Sequence, residues 1–140
     1  MAATQAVFYR DRHGVEPVER FVAALPGNCI RKIDEWINEN LNGRPADAPP
    51  PPFPISSQIE GELRELRVRV GKTRFRILYQ RSGNLIVLLH AFVKSTSAVP
   101  KSEKALAHRR MADFKRRMDA EIRVPPRAAG RDAPPSSSRR

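Results

Sequence analysis

Apolar residues follow first a strand-like and then a helical spacing over residues 5–41. The run QAVFYR at 5–10 predicts a short strand. Pro17 suits the first turn of a helix, and the apolar residues that follow it keep a helical spacing as far as Pro26. A second helical stripe consists of Ile30, Ile33, Ile37 and Leu41. We therefore expect one strand followed by a hairpin of two helices.

A proline-rich connector at residues 44–57 separates these helices from a run of strands. Three strands are predicted at 62–70, 72–80 and 84–93. Gly71 and Gly83 mark the two short turns between them, which predicts an antiparallel meander. A last amphipathic helix is expected at 100–119. We interpret the connector as a stiff surface linker, and a polyproline II ligand for another protein is the alternative.

The predicted order β-α-α-β-β-β-α indicates an α+β fold, with a small, mostly antiparallel sheet packed by helices on one face. The folded domain is expected to span residues 1–122. Residues 123–140 are rich in Pro, Ser, Arg and Gly, so we expect a disordered basic tail. The apolar run 85–89 is far shorter than the roughly 20 residues that span a bilayer. The beginning of the chain does not resemble a signal peptide, so a cytoplasmic protein is expected.

Positive charge is concentrated in the second part of the chain. The 140 residues contain 26 Lys+Arg and 15 Asp+Glu, a formal net charge of +11. Residues 1–60 carry a net charge of −2, and residues 61–140 carry +13. This asymmetry indicates a polyanionic partner such as nucleic acid. The single cysteine excludes an internal disulfide and a zinc site made of cysteines, and the three histidines are scattered, so no metal or cofactor is expected.

Alternation along the strands gathers basic side chains on one face of the predicted sheet. Arginines alternate with apolar residues in the first two strands of the meander, so the two classes face opposite sides. His90 and Lys94 share one parity in the third strand and join the arginines if the register matches. The basic face then comprises Arg67, Arg69, Arg74, Arg76, His90 and Lys94, with Lys72 at its rim. These positive charges repel one another, and only Glu65 is nearby to offset them. This arrangement favours a bound phosphate.

Basic residues alone can support RNA cleavage, because RNA carries its own nucleophile, the 2′-hydroxyl. A nearby group accepts its proton, arginines stabilise the charge at phosphorus, and a Lys, His or Tyr assists the leaving 5′-oxygen. The same face could bind RNA without cutting it. His90 is open to two interpretations, a buried hydrogen-bonded histidine or a general acid. Trp36 is expected to pack against a neighbouring helix, and Tyr79 is expected in the core.

Three runs in the predicted strands form a combined motif: LRELR at 63–67, GK at 71–72 and FRILY at 75–79. With IVLLHAFVKST at 86–96, they resemble the phage-derived Gp49-like branch of the HigB/RelE toxins, over residues 5–118. The resemblance implies a RelE-like fold. It also implies a type II toxin–antitoxin system whose toxin is a ribosome-dependent mRNA interferase, an endoribonuclease that acts on translated mRNA. The implied partner is a helix-turn-helix, HigA-like antitoxin.

The resemblance also implies roles for individual residues. It assigns Arg76 to the phosphate-stabilising position, Arg67 to a basic position on the preceding strand, and Lys94 to the basic stretch that ends the last strand. With His90, these are the predicted catalytic residues. The predicted RNA-binding residues are Arg64, Arg69, Lys72, Arg74 and Lys101. Two alternatives stay open: a non-catalytic protein that binds RNA or an antitoxin, and a ParE-like gyrase inhibitor.

Overall fold

A five-stranded mixed sheet forms the centre of the fold. The computed structural model describes residues 3–95, 98–119 and 125–130. Its elements are β1 (Gln5–Phe8), α1 (Pro17–Ala23), α2 (Gly27–Asn40), β2 (Ser56–Glu60), β3 (Leu63–Val70), β4 (Thr73–Ser82), β5 (Leu85–Val93) and α3 (Lys101–Met118). The strand order is β1-β5-β4-β3-β2, with β1 parallel to β5 and every other pair antiparallel. The α+β class and the mostly antiparallel sheet are confirmed, and the arrangement is consistent with a RelE-like fold.

Strand β2 is an addition to the predicted order, which becomes β-α-α-β-β-β-β-α. It begins inside the segment interpreted as a connector, and Ser56 pairs with Leu66 of β3. Gly61 then turns the chain into β3 with a φ of +55°, a conformation that glycine adopts without steric cost. Among the residues of β2 only Ser56 is buried, so the strand carries little apolar alternation and is stabilised by its pairing with β3.

Helices cover both faces of the sheet, which corrects the prediction that they pack on one face. The face bearing Leu66 and Ile77 packs against Ile33 of α2. The opposite face, with Leu78, packs against Phe114 of α3. The physical reason lies in β5, whose apolar residues point both ways. Ile86 and Leu88 belong to the first core cluster, and Val87 and Leu89 to the second.

Residues 125–130 pack against β1, which differs from the predicted disorder of 123–140. Phe8 N donates to Arg127 O at 2.9 Å, and Ala129 N donates to Ala6 O at 2.8 Å. The Arg127 Nε also lies 3.1 Å from Glu16 Oε1. Backbone hydrogen bonds and an ion pair hold this segment, and hydropathy does not reveal such contacts. The remainder of the predicted tail lies outside the described residues. Within the described residues, no helix is long and apolar enough to cross a membrane.

Candidate functional site

The register of the central strands brings the predicted basic side chains to one face. Arg67 lies opposite Arg76, and Arg69 lies opposite Arg74. Residues directly opposite each other in an antiparallel pair project to the same side, so the four arginines share a face. Lys94 extends the same face, since it follows Phe92, the partner of Arg76, by two residues. Its backbone N–H donates to Arg74 O at 2.8 Å. The alternation of arginines in the sequence therefore corresponds to a single basic surface.

A buried ion pair lies at the centre of this surface. Arg76 and Glu65 are each 3 % exposed, and the Arg76 Nε lies 2.8 Å from Glu65 Oε1. The Arg67 Nη1 reaches the same oxygen at 3.8 Å. Burial lowers the pKa of Arg76, and the neighbouring Arg67 lowers it further, whereas Glu65 opposes the shift. A guanidinium stays charged in proteins, so Glu65 is held between two positive groups.

An open cleft of about 300 Å³ extends above this pair, between the sheet and the beginning of α3. Its lining includes Glu65, Arg67, Lys94 and Lys104. Burial lowers the pKa of Lys94, the surrounding arginines lower it further, and Glu65 opposes them. The Lys94 ammonium therefore releases its proton more readily than an ordinary lysine. The cleft thus combines a carboxylate, a guanidinium and an ammonium whose acidity is increased.

His90 belongs to the same face but is held by α3. Its Nδ1 lies 3.2 Å from the Arg110 Nη1, which can only donate, so Nδ1 accepts and the ring proton resides on Nε2. Nε2 then donates to the Glu103 carboxylate. Burial lowers the pKa of His90, with Glu103 opposing the shift. The structure therefore shows a histidine that is hydrogen-bonded between Glu103 and Arg110, which was one of the two interpretations of its sequence position.

Four of the five predicted RNA-binding residues are exposed around the basic surface. Arg69 and Arg74 lie on β3 and β4, Lys72 lies in the turn between them, and Lys101 begins α3.

Arg64 is the exception, because it has the parity of Leu66 and projects to the opposite face. Its Nε lies 3.3 Å from Ser56 Oγ, and its Nη2 lies 3.3 Å from Pro51 O. Arg64 therefore holds the proline-rich segment, and its assignment to the RNA-binding surface is corrected.

Sequence reasoning missed the central position of Glu65 and the contribution of α3. The sequence analysis treats Glu65 only as a partial offset of charge, although Glu65 shares the parity of Arg67, which predicts that both lie on the same face. Glu103 and Lys104 come from a distant helix, and no local pattern links them to the strands. Among residues 3–95, 98–119 and 125–130, no cluster of three or more His, Cys, Asp and Glu side chains could hold a metal ion.

Comparison with known protein families identifies a matching family. The model of the family described as phage-derived protein Gp49-like (DUF891) matches residues 24–112, which is more than half of the chain. The matched segment runs from the region preceding α2 into α3 and contains the whole basic surface. No curated protein matches the chain.

Proposed function

Since the chain belongs to the phage-derived Gp49-like family, which is associated with toxin–antitoxin systems, we propose that it is a toxin that cleaves mRNA during translation. One observation carries the proposal. Glu65, Arg67 and Lys94 line a single cleft next to the buried Arg76. This group supplies a proton acceptor, a phosphate ligand and a proton donor within reach of one another, which are the components that cleavage through the 2′-hydroxyl requires.

In the proposed reaction, the guanidinium of Arg67 binds the scissile phosphate through its planar fork. The Glu65 carboxylate accepts the proton of the 2′-hydroxyl, and the 2′-oxygen forms a bond to phosphorus. The bond between phosphorus and the 5′-oxygen breaks, and Lys94 donates a proton to that oxygen. The products are a 2′,3′-cyclic phosphate and a 5′-hydroxyl, and solvent returns the transferred proton from Glu65 to Lys94. The charges of Arg67 and Arg76 stabilise the additional negative charge of the transition state.

The other predicted catalytic residue, His90, has a positioning role in this proposal. Its Nε2 proton is engaged by Glu103 and its Nδ1 by Arg110. These contacts tie α3 to β5 and so fix the wall of the cleft that carries Lys104. The role differs from that of a general acid, the other interpretation of its sequence position, because a proton already held by a carboxylate is not available to a leaving group.

The proposed partners are the ribosome with its mRNA and a helix-turn-helix, HigA-like antitoxin that neutralises the toxin in the cytoplasm. The exposed cations around the cleft would contact RNA phosphates, which contribute affinity without base specificity. They are Arg69, Lys72, Arg74 and Lys101. We also propose that the folded domain extends to Gly130, because residues 125–130 pack against β1.

The proposal is tested by mapping the 5′ ends of cellular mRNA shortly after induction in bacteria. The wild-type chain is compared with Arg67→Ala, which changes a cleft residue, and with Arg116→Ala, whose side chain on α3 is 74 % exposed. We expect new 5′-hydroxyl ends within translated frames for the wild type and for Arg116→Ala, and their loss for Arg67→Ala. Growth arrest with intact mRNA would contradict the nuclease and favour a protein target such as gyrase. Absence of arrest would favour a non-catalytic binding protein.

A further inference from the structure

A second open groove, of about 460 Å³, adjoins the cleft along the uncovered end of β3. In the described part of the chain, the pairing of β2 with β3 ends at Ser56 and Leu66, so β2 does not cover the remaining residues of β3. The groove lining includes Lys32, Trp36, Pro54, Arg67, Arg69 and Arg74. Arg67 therefore lines both the cleft and the groove, and a bound chain could pass from one to the other.

Aromatic rings lie among these cations. Phe53 is 69 % exposed, and the Arg67 guanidinium lies 4.8 Å from the centroid of its ring. The Lys32 ammonium lies 4.3 Å from the Trp36 ring. A single exposed aromatic residue needs no explanation, but a ring beside a groove lined by lysines and arginines has the composition of a site that stacks bases and binds phosphates.

We infer that this groove binds single-stranded RNA, with a base stacked on Phe53 and neighbouring phosphates bound by Arg69 and Arg74. The inference rests on the proposed function, because it extends the path of the RNA out of the cleft. The charge of the groove favours RNA over a protein partner, since all its charged lining residues are cationic. Single strands are favoured over duplexes because a stacking ring needs an unpaired base.

The test measures binding of a labelled RNA oligonucleotide by fluorescence anisotropy. Every 2′-hydroxyl of the probe is methylated, so the probe cannot be cleaved and binding is measured apart from catalysis. Phe53→Ala is compared with Phe53→Tyr, which keeps a ring. Arg69→Ala is compared with Arg116→Ala, a change of equal charge on the far part of α3. A duplex of the same sequence serves as the second probe, and thermal melts verify that each variant is folded.

We expect Phe53→Ala to weaken single-strand binding about fivefold or more, the loss of one stacking contact, and Phe53→Tyr to bind within about twofold of the wild type. Phe53→Ala should leave the salt dependence unchanged, because it removes no charge. Arg69→Ala should reduce the magnitude of the negative slope of log K against log salt by about 0.7, and Arg116→Ala should leave the slope unchanged. Binding of the duplex should not respond to Phe53→Ala.

Three results would contradict the proposal that the groove binds single-stranded RNA. They are wild-type-like binding by Phe53→Ala, equal losses in Phe53→Ala and Phe53→Tyr, and absence of RNA binding by the wild type. Unchanged RNA binding together with lost growth arrest would indicate a protein partner at Phe53 instead. The proposal for the groove and the proposal of nuclease activity can be contradicted independently of each other. Ring-dependent binding without cellular cleavage would support the groove and contradict the nuclease, whereas cleavage with ring-independent binding would do the reverse.

Discussion

Glu65 and Arg76 form an ion pair beside the cleft, with 2.8 Å between Oε1 and Nε and side chains that are 4 % and 3 % exposed. Removing two charges from water is costly, and their attraction offsets that cost only while both are present. The Arg76 Nη1 also donates to Phe75 O at 3.0 Å, so the guanidinium is fixed at two points. The pair therefore links the stability of the sheet to the geometry of the cleft.

The first prediction concerns the loss of one partner. Glu65→Gln leaves the Arg76 charge buried without its carboxylate, and we expect the free energy of unfolding to fall by about 3 kcal/mol. Urea denaturation measures this change. Glu60→Gln is the control, because the Glu60 carboxylate contacts Lys104 at an exposed position and should matter little. The double variant Glu65→Leu with Arg76→Met should recover most of the loss. Equal losses in the single and double variants would argue against an electrostatic origin.

The second prediction concerns proton donation by Lys94. Lys94→Arg keeps the positive charge but raises the pKa of the donor, so cleavage should slow about a hundredfold while RNA binding is retained. A substrate with sulfur in place of the 5′-oxygen has a leaving group that needs no proton, and it should be cleaved by Lys94→Arg and the wild type at similar rates. Single-turnover cleavage on ribosomes measures both rates. A variant that stays slow with the sulfur substrate would assign Lys94 to phosphate binding instead.

The pH profile follows from the same shift. A proton donor must be protonated, and burial lowers the pKa of Lys94 below its ordinary value of 10.5. Cleavage by the wild type should therefore decline with rising pH before an ordinary lysine would lose its proton. With the sulfur substrate this decline should disappear, because the step no longer uses the Lys94 proton.

Much of the basic surface could be predicted because its pattern is local. Arginines at every second position of β3 and β4 must share a face, and the register only decides which residues oppose each other. Arg64 does not belong to this surface, as its position in the alternation of β3 already indicates. Parity groups Arg64 with Leu66, whose side chain belongs to the core beneath α2.

Contacts between distant segments could not be predicted in the same way. The position of α3 depends on β5 being covered on both faces. The long apolar run of β5 predicts a central strand, but it does not specify which element covers each face. His90, Glu103 and Arg110 come together because α3 crosses this strand, and helical periodicity says nothing of where a helix docks. Strand β2 has a polar sequence and is formed by pairing with β3, so hydropathy did not reveal it.

The third prediction concerns stability and pH at His90. Burial lowers the pKa of His90 below the ordinary value of 6.5, so the folded state binds the proton more weakly than the unfolded state. The resulting stability is fully present above the unfolded pKa and is lost as the pH falls from 6.5 through the folded value. Urea denaturation between about pH 7 and pH 5 should therefore show declining stability. His90→Gln should flatten this decline, and His13→Gln, at an exposed position, should not.

The last prediction concerns the junction of the segment 125–130 with Asn42. The Asn42 Oδ1 accepts from Ala6 N at 2.7 Å, and its Nδ2 donates to Ala129 O at 2.9 Å. Gly130 has a φ of +114°, and a Cβ there would lie 2.4 Å from that Nδ2. Gly130→Ala therefore displaces Asn42 as well as straining the backbone, and we expect a loss of about 2–4 kcal/mol in the free energy of unfolding.

Gly14→Ala isolates the backbone part of this effect, since Gly14 also has a positive φ, of +82°, but a Cβ there would meet no atom within 4 Å. Its loss should be smaller, about 1 kcal/mol. In an Asn42→Ala background the steric part of the Gly130→Ala effect should vanish, because the opposing amide is absent. Urea denaturation of the four single and double variants measures these differences. Equal losses for the two glycine variants would mean that Asn42 does not fix this segment to β1.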